Sequence, residues 1–259
     1  MGHAELSYGL AETVDDIAEV SAYIWESGWS AANGGNLTVD VTGLVQPGDF
    51  EACDVPLLPL GVAAPAMAGR SLFVTVSGSR FRDVPKAPGK ALILLQVSDS
   101  GDRYRVLWGG EGGGKPTMEF IPHLKAHAYL LAAGRPQPVV LHTHPVHLIA
   151  ATHLPEYGTP AFDRVLEVSL STARVFLPAG VGMVGAMPMG SEALADATVE
   201  ALAGRKAVLW QRHGCVAVGA DVFEAFDTTD MLEKAAQMFL VCLSSGCLPG
   251  WPGPDGAPA

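Results

Sequence analysis

Q-P-V-V-L-H-T-H-P-V-H-L-I-A-A, residues 137–151, carries the chain from a buried strand into a helix. After Pro138, Val139-Val140-Leu141 is a short apolar run of the kind that forms a core strand. His142 and His144 stand two apart at its end. Side chains alternate along a strand, so both imidazoles face one way and Thr143 the other. Pro145 stops the strand and suits the first turn of the helix that follows. A strand whose carboxyl end runs into a helix is where open α/β sheets place their sites. Two imidazoles at this spacing suit a metal that takes nitrogen ligands, zinc first. Two partly buried histidines that only hydrogen-bond locally fit the pattern equally well. A catalytic zinc needs a third protein ligand.

His213 is the natural candidate. It follows a strand over Lys206–Trp210, in the turn Q-R-H-G, and Gly214 leaves room for close approach. A short strand over Cys215–Val218 comes next. Upstream, Thr117 reads as the N-cap of a helix over 119–133, with Glu119 in its first turn, where an acid complements the helix dipole. His123 and His127 lie one turn apart on that helix without the glutamate of an H-E-x-x-H motif, and are assigned to surface or packing.

Elsewhere the periodicity predicts an amphipathic helix over 10–28 closed by Gly28. N-G-G-N-L-T-V-D, residues 33–40, is a turn opening into a strand at Leu37, with amides from Asn33 and Asn36. The Pro-, Gly- and Ala-rich stretch 43–70 reads as a surface excursion. Leu72–Val76 is a strand that ends in S-G-S, residues 77–79, a candidate anion nest. Ala91–Val97 and Tyr104–Trp108 form a hairpin, followed by a mobile glycine run over 109–114. Beyond residue 151 the pattern predicts a helix over 160–172, a strand over 174–178, a helix capped by Ser191 and a last long helix capped by Asp221. One domain over 1–248 and a disordered tail over 249–259 are expected.

Composition narrows the function. Nearly half of the 259 residues are apolar and 17% are charged, enough for a substantial core. A net charge of −11 argues against general nucleic-acid or anionic-membrane binding, and leaves open a local anion site built from backbone N–H groups. Cys53, Cys215, Cys242 and Cys247 show no framework spacing, so reduced thiols are expected. With no export signal and no membrane-length apolar run, a cytoplasmic location is expected.

Taken together, H-T-H-P at 142–145, R-H-G at 212–214 and N-G-G-N at 33–36 resemble the class II aldolase/adducin family. Within it, the bacterial L-rhamnulose-1-phosphate aldolase branch is most similar. It is matched by T-V-S-G-S-R-F-R-D-V at 75–84, Y-R-V-L-W-G at 104–109, P-T-M-E at 116–119, L-P-A-G-V-G at 177–182 and F-D-T-T-D-M-L-E-K-A-A-Q at 226–237. The resemblance implies a single-domain, three-layer αβα sandwich around a central mixed or antiparallel sheet, assembled as a homotetramer. It implies one Zn2+ per subunit on His142, His144 and His213, with Glu119 as catalytic acid/base. Asn33, Gly35, Asn36, Ser77, Gly78 and Thr117 map onto the family's phosphate pocket. The implied substrate is a ketose 1-phosphate, foremost L-rhamnulose 1-phosphate, cleaved to dihydroxyacetone phosphate and L-lactaldehyde.

Two positions depart from the pattern. Met118 stands where the family usually has a hydroxyl residue, which leaves room for an L-fuculose-type or unphosphorylated ketose. S-L-S-T-A-R, residues 169–174, lacks the acid that relatives offer to a neighbouring subunit, and Glu167 is out of register. A sugar-phosphate 4-epimerase or dehydratase shares the three histidines and stays open as an alternative. A non-catalytic adducin-like module is disfavoured by the presence of all three histidines together with Glu119.

Overall fold

The computed structural model describes residues 6–46, 49–50, 55–111, 113–135, 137–170 and 172–246. Its strands are β1 (Asn36–Asp40), β2 (Leu58–Pro59), β3 (Ser71–Thr75), β4 (Leu92–Val97), β5 (Arg103–Gly109), β6 (Val139–Thr143), β7 (Gly182–Val184), β8 (Ala207–Trp210) and β9 (Gly214–Gly219). They form one sheet in the order β2-β5-β4-β3-β1-β6-β9-β8-β7. Among the described strands only β7 with β8 is parallel, so the sheet is mixed but largely antiparallel. The helices are α1 (Tyr8–Glu26), α2 (Pro88–Ala91), α3 (Phe120–Ala132), α4 (Val146–Ala151), α5 (Ala161–Ser169), α6 (Ala173–Phe176), α7 (Glu192–Ala201) and α8 (Val222–Ser245).

Strand alternation divides the helices between the two faces. Leu37 and Val39 of β1, with Val139 and Leu141 of β6, pack against α1 and the start of α8. Leu209 and Cys215 continue that layer against α4, α5 and the middle of α8. On the opposite face, Leu72, Val74, Ile93 and Leu95 meet Phe120 and Leu124 of α3. Val140, Val208, Trp210, Val216 and Val218 meet the rest of α3 and α7. The result is the expected αβα sandwich. His142, alternating with Leu141, is buried on the α3 face.

Several expectations need correction. Residues 174–178 are not a strand: Ala173–Phe176 is a helical turn, and its buried Ala173 lies one turn from the buried Leu177 that follows it. β7, three residues long, gives no readable alternation and was not anticipated. The excursion 43–70 is partly internal: β2 extends the sheet beside β5, and Leu60 and Met67 are buried against its outer half. In the glycine run, Gly109 and Gly110 are held at positive φ, and Gly110 N–H donates to Leu92 O. Thr117 does not cap α3. The helix starts later, with Glu119 at the N-cap position and its side chain making no capping hydrogen bond. Of the two roles expected for His123 and His127, surface or packing, the structure shows packing: both are fully internal. The expected tail over 249–259, Cys53 and Cys247 lie outside the described residues, among which Cys215 and Cys242 are free thiols. No described helix is long and apolar enough to cross a membrane.

Candidate active site

The site lies at one end of the sheet, where β1 begins and β3 and β6 end. Register fixes the neighbours: Asn36 stands opposite His142, and His142 opposite Val216. His144 follows directly after β6, and its N–H donates to Trp29 O. His213 arrives from the turn between β8 and β9, after Arg212 in a left-handed conformation (φ 59°).

The three histidines offer ligand atoms that all lie within 4.8 Å of one another. His142 Nδ1 donates to Cys215 O at 2.9 Å, which leaves Nε2 as the lone-pair nitrogen. That Nε2 lies 3.0 Å from His144 Nε2, near the roughly 3.3 Å that separates two nitrogens across a tetrahedral zinc. Burial holds the His142 imidazole well below its ordinary value, and positive charge on His144 or His213 would lower it further. His144 and His213 are lowered too, again chiefly by burial, which outweighs the nearby Glu119 carboxylate. Three neutral imidazoles are the protonation state that metal binding requires. The donor set therefore fits a metal ion.

Glu119 is buried beside this cluster. Its Oε2 lies 3.4 Å from His142 Nε2 and its Oε1 lies 3.3 Å from His213 Nε2. With neutral imidazoles these are close contacts rather than ion pairs. Asn36 Nδ2 donates to Oε2 at 2.7 Å, whereas Oε1 has no hydrogen-bond partner among the described residues. A buried carboxylate fixed through one oxygen and open at the other can take up and return a proton there.

The loops expected to hold phosphate gather around the same end of the sheet. Thr117 N–H donates to Thr75 O, and Ser77 N–H to Lys115 O, so the S-G-S and P-T-M-E segments are tied together. Gly78 has positive φ and an open Cβ position, and Ser77 and Asn33 are exposed. Gly35 fits closely against β6: a Cβ there would come within 2.8 Å of His142 O. Met118 turns its side chain outward, 73% exposed.

A family model for the class II aldolase and adducin N-terminal domain matches residues 15–240. The chain belongs to that family. It is 31% identical over 238 residues to the rhamnulose-1-phosphate aldolase of Listeria innocua, covering 91% of this chain and 87% of the relative. To that of Pectobacterium atrosepticum it is 33% identical over 237 residues, covering 90% and 86%. Among solved structures, a sugar-phosphate aldolase from Thermotoga maritima matches with a TM-score of 0.82 at 33% identity, over 93% of this chain and 99% of that one. This class II aldolase family member is thus matched in sequence and fold over most of its length.

Other residues that build the site were not singled out from the sequence. Trp210 lies against the His142 ring at a centroid distance of 4.5 Å and the His213 ring at 5.0 Å, and its own Nε1 donates to Thr198. Its place three residues before His213, at the end of a strand, was the available signal. Gly34 matters as much as Gly35, since a Cβ there would meet His144 Nδ1 at 2.6 Å.

Proposed function

We propose that this class II aldolase is zinc-dependent and cleaves L-rhamnulose 1-phosphate to dihydroxyacetone phosphate and L-lactaldehyde. The reading is carried by one observation: a buried carboxylate oxygen with no hydrogen-bond partner among the described residues, Glu119 Oε1, facing a cluster of three imidazoles. The names of the relatives supply the substrate.

His142, His144 and His213 would hold the zinc. When bound, it would supply a Lewis acid that stabilises negative charge on the ketose oxygens as the C3–C4 bond breaks. Asn36 holds Glu119 by Oε2 and so aims Oε1 into the site. In cleavage the C4 hydroxyl gives up its proton as C4 becomes the aldehyde, the C3–C4 electron pair passes to the dihydroxyacetone phosphate half, and Glu119 returns a proton to C3; synthesis runs the same transfers in reverse. Gly78 and the hydroxyls of Ser77 and Thr117, with Asn33, Gly35 and the second amide N–H of Asn36, are the proposed phosphate contacts. A homotetramer in the cytoplasm belongs to the same proposal.

The exposed Met118 favours a second reading, an aldolase for another ketose, because it offers phosphate no hydroxyl beside Glu119. Retro-aldol assays of zinc-loaded protein separate the two. L-rhamnulose 1-phosphate, L-fuculose 1-phosphate and free L-rhamnulose are supplied in parallel, and released dihydroxyacetone phosphate or dihydroxyacetone is measured. Preference for the first is expected. Cleavage of the free sugar alone would place the divergence at Met118, and no cleavage of any would move the assignment to an epimerase or dehydratase.

A further inference from the structure

We infer that α4 is a splint that sets the spacing between His144 and His213, with Thr152 and Glu233 as positioning residues at its two ends. The inference rests on the reading of the three histidines as a metal site. It starts from the six-residue α4, which begins two residues after His144.

At the N-terminal end Glu233 reaches over from α8. It is 7% exposed and accepts the N–H of His147 at 3.1 Å, the N–H of Leu148 at 2.8 Å and His147 Nδ1–H at 2.7 Å. One carboxylate thus satisfies two of the backbone donors that a helix start leaves free. Leu148 and Ala151 pack α4 onto Leu232, Ala235 and Ala236 of the same helix, so the anchor is apolar as well as polar.

At the other end Thr152, 1% exposed, is the C-cap residue. Its Oγ1 donates to Ile149 O at 2.7 Å and accepts the N–H of Arg212 at 2.9 Å, while its carbonyl accepts Gln211 Nε2 at 3.4 Å. Arg212 is one of two non-glycine residues at positive φ among those described, and its side chain is exposed. Nothing about that side chain requires the left-handed backbone. The Thr152 hydroxyl holds it together with the turn bond from His213 N–H to Trp210 O, and the next residue is His213. The two ligand loops, about seventy residues apart in the chain, are therefore tied to opposite ends of one rigid turn and a half of helix.

Zinc affinity, measured by competition with a chromophoric chelator, tests this on the full chain. Thr152→Val keeps the shape and removes the hydroxyl; affinity is expected to fall about 10- to 100-fold, the usual effect of losing an outer-shell partner, and Thr152→Ser should restore it. His213→Ala is run alongside. Wild-type affinity in Thr152→Val, together with loss in His213→Ala, overturns the splint alone. A wild-type protein that binds no zinc overturns the metal reading and the splint with it. Should Thr152→Val lack the wild-type circular dichroism, Glu233→Gln carries the same expectation at the other end. Unchanged affinity there overturns the inference.

Discussion

Asn36 and Glu119 are joined by a 2.7 Å hydrogen bond, amide to carboxylate, across 83 residues of chain. The bond links the first residue of β1 to the N-cap of α3, and it leaves only one Glu119 oxygen open. In Asn36→Ala the other oxygen would stay buried without its donor, a cost of about 1.5–3 kcal/mol for a charged partner. A fall in kcat of roughly tenfold or more is expected, with zinc content unchanged. A rise in KM alone, at constant kcat, would leave the amide its phosphate contact and remove its role in holding Glu119.

Glu119 contacts the histidines without being needed to hold them together. Glu119→Ala should retain zinc and fold but lose about 10²- to 10⁴-fold in turnover, the usual range for a general acid/base. Undiminished turnover would remove the residue from the mechanism.

His213 comes from a different loop than the other two histidines, so its loss leaves a pair. His213→Ala should release metal on dialysis, as read by elemental analysis. Full occupancy would send the third ligand elsewhere.

Gly214 stands where three residues meet. A Cβ there would lie 2.4 Å from Thr143 O, 2.7 Å from His142 Cε1 and 2.9 Å from His144 Cδ2. Gly214→Ala must push the H-T-H segment aside, at about 1–3 kcal/mol for an overpacked core site. Both the unfolding midpoint and zinc affinity should drop together. A stable variant with normal affinity would show that the segment yields freely.

His123 and His127 share the Thr38 hydroxyl, at 3.0 and 2.7 Å, inside the α3 layer. Burial pushes the first down to about 3 and the second to about 4, from an ordinary 6.5. Above pH 6.5 both states of the chain carry neutral rings, and these groups add no pH dependence. Below it the unfolded chain takes protons that the folded one refuses, so stability falls as pH drops toward 4, by at most about 1.4 kcal/mol per unit for each ring. The three lowered site histidines feed the same slope in the zinc-free protein, so urea unfolding from pH 7 to 4.5 is run on it beside a His123→Gln/His127→Gln variant and the difference is read. A flat difference would contradict the burial of these rings.

The sandwich was legible because its strands and long helices have full periods. β6, β8, β9, α1, α7 and α8 were each marked by an apolar run or a cap, and Ser191 and Asp221 do accept the N–H groups of Leu194 and Glu224. Segments shorter than one period were not legible: Ala173–Phe176 looks extended because Val175 and Phe176 favour strands, yet both face outward. The histidines could be found from spacing at a strand end. Trp210 was marked only by its place three residues before His213; Thr152 and Glu233 could not be found, since each acts through a contact made only after the chain has folded, and nothing local distinguishes them from core or helix-face residues.

β6 sits between β1 and β9, and therefore between residues near the start of the chain and residues near its end. No hairpin or other local contact can bring His142 beside both Asn36 and His213. These pairings close long loops, the slowest kind of contact for a chain to find. Metal capture should accordingly trail the growth of the hairpin β4–β5 and of the helices, and report the final step of folding rather than seed it.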